Sequence, residues 1–449
     1  MREKTLITDF TQGSIPKQLF LFAAPLFLSN LLQIVYNMAD MIIVGRVMGE
    51  VGLSAVSVGG DVSGFLTFVA MGFSSAGQVI ISKYIGAGQK EQVGRFIATM
   101  FSALTVIAIV LSCVCVALRV PILNLMNTPE QAMDEALGYA TICIIGLVFI
   151  YGYNIISAVL RGMGDSKHPF VFISIAAVLN IVLDILFVAG FSMGAAGAAL
   201  ATVISQCVSF VSCAVFLYKK RAELGFEIEA TYFLHIDKAM LADLIKLGIP
   251  MAIKSGAIHF SKLFVNSWIN SYGIAVSAFA GVANKVSSVS NLLSNALNTA
   301  GASMVGQNIG AKTYRRVPKI SLTIAAWTLS IATILTILFF AFPEQIFSIF
   351  TDGEDVLAVG MEYLPIAALI FFGSACRSPM NAVLNGSGNY AVNFVTAILD
   401  GILLRIGLSL LFGLGLNMGY LGFWLGDALA GFTPLFIGAV FYVSGKWKK

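Results

Sequence analysis

Apolar residues run along this chain in long blocks of similar size. Twelve of them lie near 17–45, 53–81, 96–119, 137–160, 169–189, 194–218, 243–270, 274–300, 318–341, 358–383, 390–413 and 419–443. A helix needs about 20 mostly apolar residues to cross a bilayer. In lipid only helices and closed barrels satisfy their own backbone, and blocks this long are helical. The pattern predicts an all-α integral membrane protein with twelve transmembrane helices.

The polar breaks between blocks carry the charge. With the N-terminus placed inside, twenty Lys and Arg fall on inside positions, and only Arg46 and Arg119 fall outside. Excess Lys and Arg mark the cytoplasmic side. Both termini are therefore expected in the cytoplasm of a multi-pass plasma (inner) membrane protein. Residues 1–14 are polar and do not read as a cleavable signal peptide.

The blocks also repeat. AlaGly at 76–77 and IleGlyAla at 85–87 recur at 300–301 and 309–311, and LeuArgGlyMetGlyAsp at 160–165 recurs as LeuAsnGlySerGlyAsn at 384–389. Pro25 recurs as Pro250. Six blocks per repeat is an even number, so both halves enter the membrane from the same side. This predicts two six-helix bundles related by a pseudo-twofold along the membrane normal, a known transporter plan. The expected division is an N-terminal bundle at 1–218, a cytoplasmic linker at 219–242 and a C-terminal bundle at 243–449. Pro25 and Pro250 each remove a helix hydrogen bond and should bend their segments. Pro25 is the candidate hinge.

Composition narrows the class. Of the 449 residues 58% are hydrophobic and 11% charged, and the mean hydropathy is +0.89. Soluble domains average about 25% charged residues. A net charge of +4, spread over loops, implies no nucleic-acid partner. The six cysteines sit in apolar blocks without metal-type spacing and read as packing residues. No metal-protease, nucleophile-elbow or phosphate-loop motif is present, so the chain does not read as an enzyme and needs no cofactor.

What remains is polarity inside the blocks. The fifth carries Asn180 and Asp184, four apart and hence on one helix face. A carboxylate in hydrocarbon costs about 2.5 kcal/mol or more and marks a functional site by default. At a rise of about 1.5 Å per residue, Asp40 and Asp184 each lie about 9 Å below the outer helix ends, Thr202 about 12 Å and Tyr139 about 6 Å. Asn180 is one turn deeper. Gln33, Asn37 and Asp40 form a polar stripe on the first segment. Two carboxylates with amide and hydroxyl oxygens suit Na⁺ and a proton equally, and such a pair titrates as a unit. Asp61 is a further buried acid, for a cavity or a cation partner. The second half is different: Lys254, Lys262, Lys285, Arg377 and Arg405 lie within its blocks against Asp400 and Asp427. Those cations pair with the acids or line a cavity for an anionic group.

The chain resembles the multidrug and toxic compound extrusion (MATE) transporters over nearly its whole length. The resemblance rests on AsnMetAlaAspMetIleIleValGly at 37–45, LeuArgGlyMetGlyAspSer at 160–166 and AlaValLeuAsnIleValLeuAsp at 177–184, with the twelve-block repeat. It implies two six-helix bundles facing a central cleft, and antiport of a substrate against H⁺ or Na⁺. By matching position it implies a cation site at Asp40, Asn180, Asp184 and Thr202, where Na⁺ would bind, with Tyr139 beside it. It also implies a polar cleft position at Asn154, alongside Gln33, Asn37 and Asp61. The acids that another branch of the family carries in its seventh and tenth helices have no counterpart here, where Lys254, Lys262 and Arg377 stand instead.

The resulting expectation is a monomeric secondary antiporter exporting amphipathic, often cationic, organic compounds by alternating access. The main alternative is a flippase for a lipid-linked saccharide or other anionic lipid, whose phosphate the second-half cations would hold. An intramembrane enzyme lacks a catalytic set, and a passive channel sits poorly with polarity confined to one slab.

Overall fold

The first two apolar blocks form one helical run, α1 (Ile15–Gly86), of 72 residues. At about 1.5 Å per residue it is far longer than a bilayer is thick. It is in fact two helices joined at Gly49, whose φ of 65° and ψ of −148° leave the helical region. A side chain at that φ would be strained, and glycine adopts it without penalty. The polar gap expected around residues 46–52 is thus closed at a single residue. Pro25 and Pro250 lie inside continuous helices, and neither breaks its own.

The structure is a computed structural model and describes residues 6–126, 128–220, 223–350 and 353–448. Arg2, Lys4, Arg221 and Lys449 of the charge pattern lie outside the described residues. The fold is 88% helical, with no strand among the described residues. After α1 come α2 (Lys90–Ala117), α3 (Met133–Ile145), α4 (Leu147–Gly162), α5 (Lys167–Asp184) and α6 (Gly194–Lys219). The second half holds α7 (Lys238–Asn270), α8 (Ile274–Gly310), α9 (Val317–Ala341), α10 (Glu354–Gly386), α11 (Tyr390–Ile398), α12 (Leu404–Leu410), α13 (Gly419–Ala430) and α14 (Thr433–Val443).

These helices make the twelve passages expected. Helices α3 and α4 form one span bent by 46°. Wider π turns join α11 to α12 at Leu399–Leu403 and extend α12 over Leu411–Gly415. Helices α7 and α8 are the least apolar of the spans, because Lys254, Lys262, Lys285 and many Ser and Asn residues fall within them. Many large apolar side chains face outward, among them Phe65, Val110, Val178, Phe436 and Val440. That is the surface of a protein solvated by lipid tails.

The chain divides into two compact units. One comprises Met1–Asp9 and Ala24–Gly248, the other Phe10–Ala23 and Ile249–Lys449. This division differs from the one read off the sequence at both borders. The stretch expected to be a linker packs within the first unit: Leu224 is fully buried, and the Phe233 carbonyl accepts a bond from Ser102 Oγ at 3.0 Å. Phe10–Ala23 packs within the second unit. There the Phe10 N–H donates to Gln307 Oε1 at 3.0 Å, Asn308 Nδ2 donates to the Phe10 carbonyl at 3.1 Å, and the Phe10 ring packs 5.1 Å from that of Phe22, tilted by 44°.

The repeat is preserved contact by contact. In the first unit a Cβ on Gly162 would meet the Gln78 carbonyl at 2.9 Å and the Ile81 side chain. In the second, a Cβ on Gly386 would meet the Ala302 carbonyl at 2.7 Å and the Val305 side chain. Both glycines let the end of one helix seat on the backbone of another. Beyond each lies a capped turn. Asp165 Oδ1 accepts from the N–H groups of Lys167 and His168, and Oδ2 meets His168 Nδ1. Asn389 Oδ1 accepts from the Val392 N–H at 3.1 Å. Asp165 is thus the side chain that caps the start of α5.

The candidate coupling site and the cations of the second unit

In the first unit Asp40, Asn180, Asp184 and Thr202 come together from α1, α5 and α6. The Asp40 carboxyl faces Asp184, Asn180 and Thr202. Asp40 is 5% exposed, Asn180 2% and Asp184 0%. Asn180 Nδ2 donates to Thr202 Oγ1 at 3.4 Å, and Thr202 Oγ1 donates to the Ala198 carbonyl at 3.0 Å. No donor reaches Asp40 Oδ1, Asn180 Oδ1 or either oxygen of Asp184 among the described residues. Buried polar atoms are normally paired, and each exception calls for an explanation. Here four acceptor oxygens converge, two acidic side chains among them. Such a set can hold a proton between the carboxyls or a small hard cation among the oxygens.

Local structure sets this up. Helix α5 ends at Asp184 and widens at once into a π turn, Ile185–Gly190. Turns of this kind cluster at functional sites because they shift side-chain register without ending the helix. The next helix, α6, begins at Gly194, where Glu135 Oε2 accepts the Ala195 N–H at 2.9 Å. A carboxylate is favoured at a helix N-terminus. It anchors α6, and with it Thr202, to the α3 helix that carries Tyr139.

Tyr139 is buried beside the pair, within electrostatic reach of both Asp40 and Asp184. The other sequence candidates are placed differently. Gln33 is half-buried and Asn37 exposed on α1. Asp61 is exposed rather than buried, with contacts to other groups. Asn154 turns its amide onto its own helix, Nδ2 donating to the Ile150 carbonyl at 2.8 Å. Pro25 lies one turn before Ser29, whose hydroxyl donates to the Pro25 carbonyl at 2.8 Å.

The second unit holds a different polar centre. Arg405, 2% exposed, donates from Nη2 to Asp400 Oδ1 at 3.0 Å and from Nη1 to Asp427 Oδ1. Its Nε reaches the Asp400 carbonyl at 3.3 Å. Asp400 lies in the π turn just before α12. Lys254 Nζ donates to Asn381 Oδ1 at 2.7 Å, and Arg377 Nη2 to Asn291 Oδ1 at 2.6 Å. Lys285 is exposed. Lys262 lines a recess with Asp427 and Trp424.

The MatE family model matches this chain twice, over residues 25–186 and 250–411. The chain belongs to the MatE family. The two matches begin and end at the same spacing as Pro25 and Pro250, so the family unit is the repeat itself. Among its relatives, the probable multidrug resistance protein YpnP of Bacillus subtilis is 30% identical over 441 residues, 98% of this chain and 97% of that protein. The probable multidrug resistance protein NorM of Thermotoga maritima is 25% identical, over 97% of this chain and 94% of its own length. A MOP superfamily transporter from Pyrococcus furiosus, described as having a binding pocket of reverse polarity, has the same fold. Its TM-score is 0.89 at 21% identity, with 98% of each chain covered. A MATE structure in a bent conformation matches at a TM-score of 0.87 and 21% identity, covering 98% of this chain and 97% of its own.

This MATE protein is therefore a multi-pass membrane transporter of the multidrug-resistance type and not an enzyme. Sequence reasoning missed some of what surrounds the acids. Tyr36 lies within electrostatic reach of Asp40 and hydrogen-bonds Gln206, and Cys143 contacts Tyr139. A signal was available: Tyr36 sits four before Asp40, and Gln206 four after Thr202, each on the same helix face as its neighbour.

Proposed function

We propose that this protein is a cation-coupled exporter of amphipathic organic compounds, working by alternating access in the plasma membrane with both termini cytoplasmic and as a monomer. The observation that carries the reading is the set of four donorless oxygens on Asp40, Asn180 and Asp184. An inward-moving H⁺ or Na⁺ binds there, with Thr202 as a further ligand and Tyr139 closing one side. It neutralises the pair and favours one conformation of α1, with Pro25 as the hinge. The ion drives transport only through its different affinity for the two states. Gln33, Asn37, Asp61 and Asn154 then serve the substrate path.

The reading is tested in proteoliposomes under an imposed pH gradient or an imposed Na⁺ gradient. Asp40→Asn and Asp184→Asn should abolish gradient-driven efflux while the protein still inserts and folds. Normal efflux in both variants would overturn the assignment.

A second reading, a flippase for an anionic lipid, is favoured by one observation: Lys254, Lys262, Arg377 and Arg405 lie within the helices of the second unit against Asp400 and Asp427. Efflux of a cationic dye from whole cells separates the two, since a flippase leaves dye accumulation unchanged.

A further inference from the structure

The two units share one backbone path beside their polar centres. Ser192 and Asn417, 225 residues apart, have φ of 52° and 54°, values uncommon outside glycine, and Gly194 and Gly419 follow with 63° and 62°. Upstream the spacing is 224, marked by the positive φ of Gly164 and Gly388. The second unit therefore has one residue more between these points. The π turn Leu399–Leu403, which has no counterpart within α5, takes it up in its wider ring. The π turns Ile185–Gly190 and Leu411–Gly415 do correspond.

In this register the centres can be matched position by position. Asn180 corresponds to Arg405, Asp184 to Ser409 and Thr202 to Asp427. Tyr139 corresponds to Tyr363 at the upstream spacing. Both are buried, Tyr139 within electrostatic reach of Asp40 and Asp184, Tyr363 within reach of Asp427. The Asp40 position falls at Phe264–Val265, where no acid stands. A second acid comes instead from the added π turn, as Asp400. Each unit thus brings two carboxyls to its centre. In the first, no donor reaches either oxygen of Asp184 among the described residues. In the second, Arg405 donates to both acids, from Nη2 to Asp400 Oδ1 at 3.0 Å and from Nη1 to Asp427 Oδ1. Lys254, Lys262 and Arg377 lie within electrostatic reach as well, but among the described residues only Arg405 forms ion pairs there.

We propose that Arg405 is the resident cation of a second, permanently filled cation site: its guanidinium supplies through a covalent tether the charge that the first unit takes from an exchangeable ion. The second centre is then closed to H⁺ and Na⁺, and one ion-binding event, at Asp40 and Asp184, serves each turnover. A buried ion pair adds little net stability over apolar packing, so stability alone does not account for a centre that matches the coupling site by position. The proposal rests on the coupling reading only for the statement that the first unit's ion exchanges.

The test moves the tethered cation into the first unit. Full-length Asn180→Arg, in phosphatidylcholine nanodiscs without an ion gradient, is compared with Asn180→Met, which has similar length and no charge. A charge at an apolar position would make Asn180→Arg the less stable of the two. At a cation site it should unfold at the same temperature as Asn180→Met or higher. The shift of the parent's unfolding temperature with Na⁺, or with pH, should fall at least about threefold in Asn180→Arg, because the tether excludes the ion. Arg405→Ala is the second probe. Free methylguanidinium should restore at least about half of the unfolding temperature it loses, and tetramethylammonium, which has no N–H donors, should not. Asn180→Arg unfolding well below Asn180→Met, an unchanged ion response in Asn180→Arg, or no restoration of Arg405→Ala by methylguanidinium overturns the proposal. A parent whose unfolding ignores both Na⁺ and pH overturns the coupling reading instead; the comparison of Asn180→Arg with Asn180→Met still decides this one.

Discussion

Asp40 on α1 and Asp184 on α5 face each other in the interior of the first unit, and no donor reaches either oxygen of Asp184 among the described residues. Two carboxyls so placed are stable only with a positive charge or a proton between them. Their chemistry is therefore one property of a pair, and variants at the two positions should not act independently.

Replacing one acid by its amide puts an N–H donor among orphan acceptors. Each unsatisfied buried group costs about 1–3 kcal/mol. Asp40→Asn and Asp184→Asn should each unfold at the same or a higher temperature than the parent while losing gradient-driven efflux. The double variant should lose no more efflux than either single one. Differential scanning fluorimetry beside proteoliposome efflux checks both parts. A large drop in melting temperature for the single variants would mean that the pair is structural.

Thr202 separates the two coupling ions. Its hydroxyl donates to the Ala198 carbonyl and accepts a 3.4 Å bond from Asn180 Nδ2, which leaves one oxygen lone pair for a cation. Thr202→Val keeps the shape and removes the oxygen. A Na⁺-driven cycle should then need about tenfold more Na⁺ for half-maximal rate, by the loss of one bond to an ion. A proton-driven cycle should change little, because the proton sits between the carboxyls. Initial efflux rates against Na⁺ concentration and against imposed pH difference give the answer.

Arg405 holds Asp400 and Asp427 at once in a buried setting. Breaking such a pair from one side costs about 3–5 kcal/mol because it strands the other charge. Arg405→Met should lower thermal stability more than any other single change among the buried charges. Adding Asp400→Leu and Asp427→Leu should recover much of the loss, since an apolar replacement of the whole cluster leaves no charge behind. Unfolding curves of the single and triple variants decide this.

Gly162 and Gly386 occupy equivalent seats in the two units, against the carbonyls of Gln78 and Ala302. An alanine at either would press on backbone that cannot yield easily, at a cost of about 1–3 kcal/mol each. The two substitutions should be similar in effect and nearly additive, because each seat lies within its own unit. Unequal losses would show that the repeat has diverged in packing at this point.

The sequence by itself determined the membrane class, the helical passages, the repeat and the depth of the acids within the blocks. Each of these follows from cost: an apolar block must span, a charge inside it must be used, and a repeat keeps its offset through every loop. Asp40, Asn180, Asp184 and Thr202 could be matched in depth because a helix has a fixed rise. Only the tertiary structure decided which charges meet. Depth says nothing about azimuth, so it could not tell that Asp61 is exposed, that Asn154 bonds its own helix, or that Arg405 engages both acids. Nor could local pattern assign 10–23 and 219–242 to their units, since such short polar stretches are placed by the surfaces they pack against.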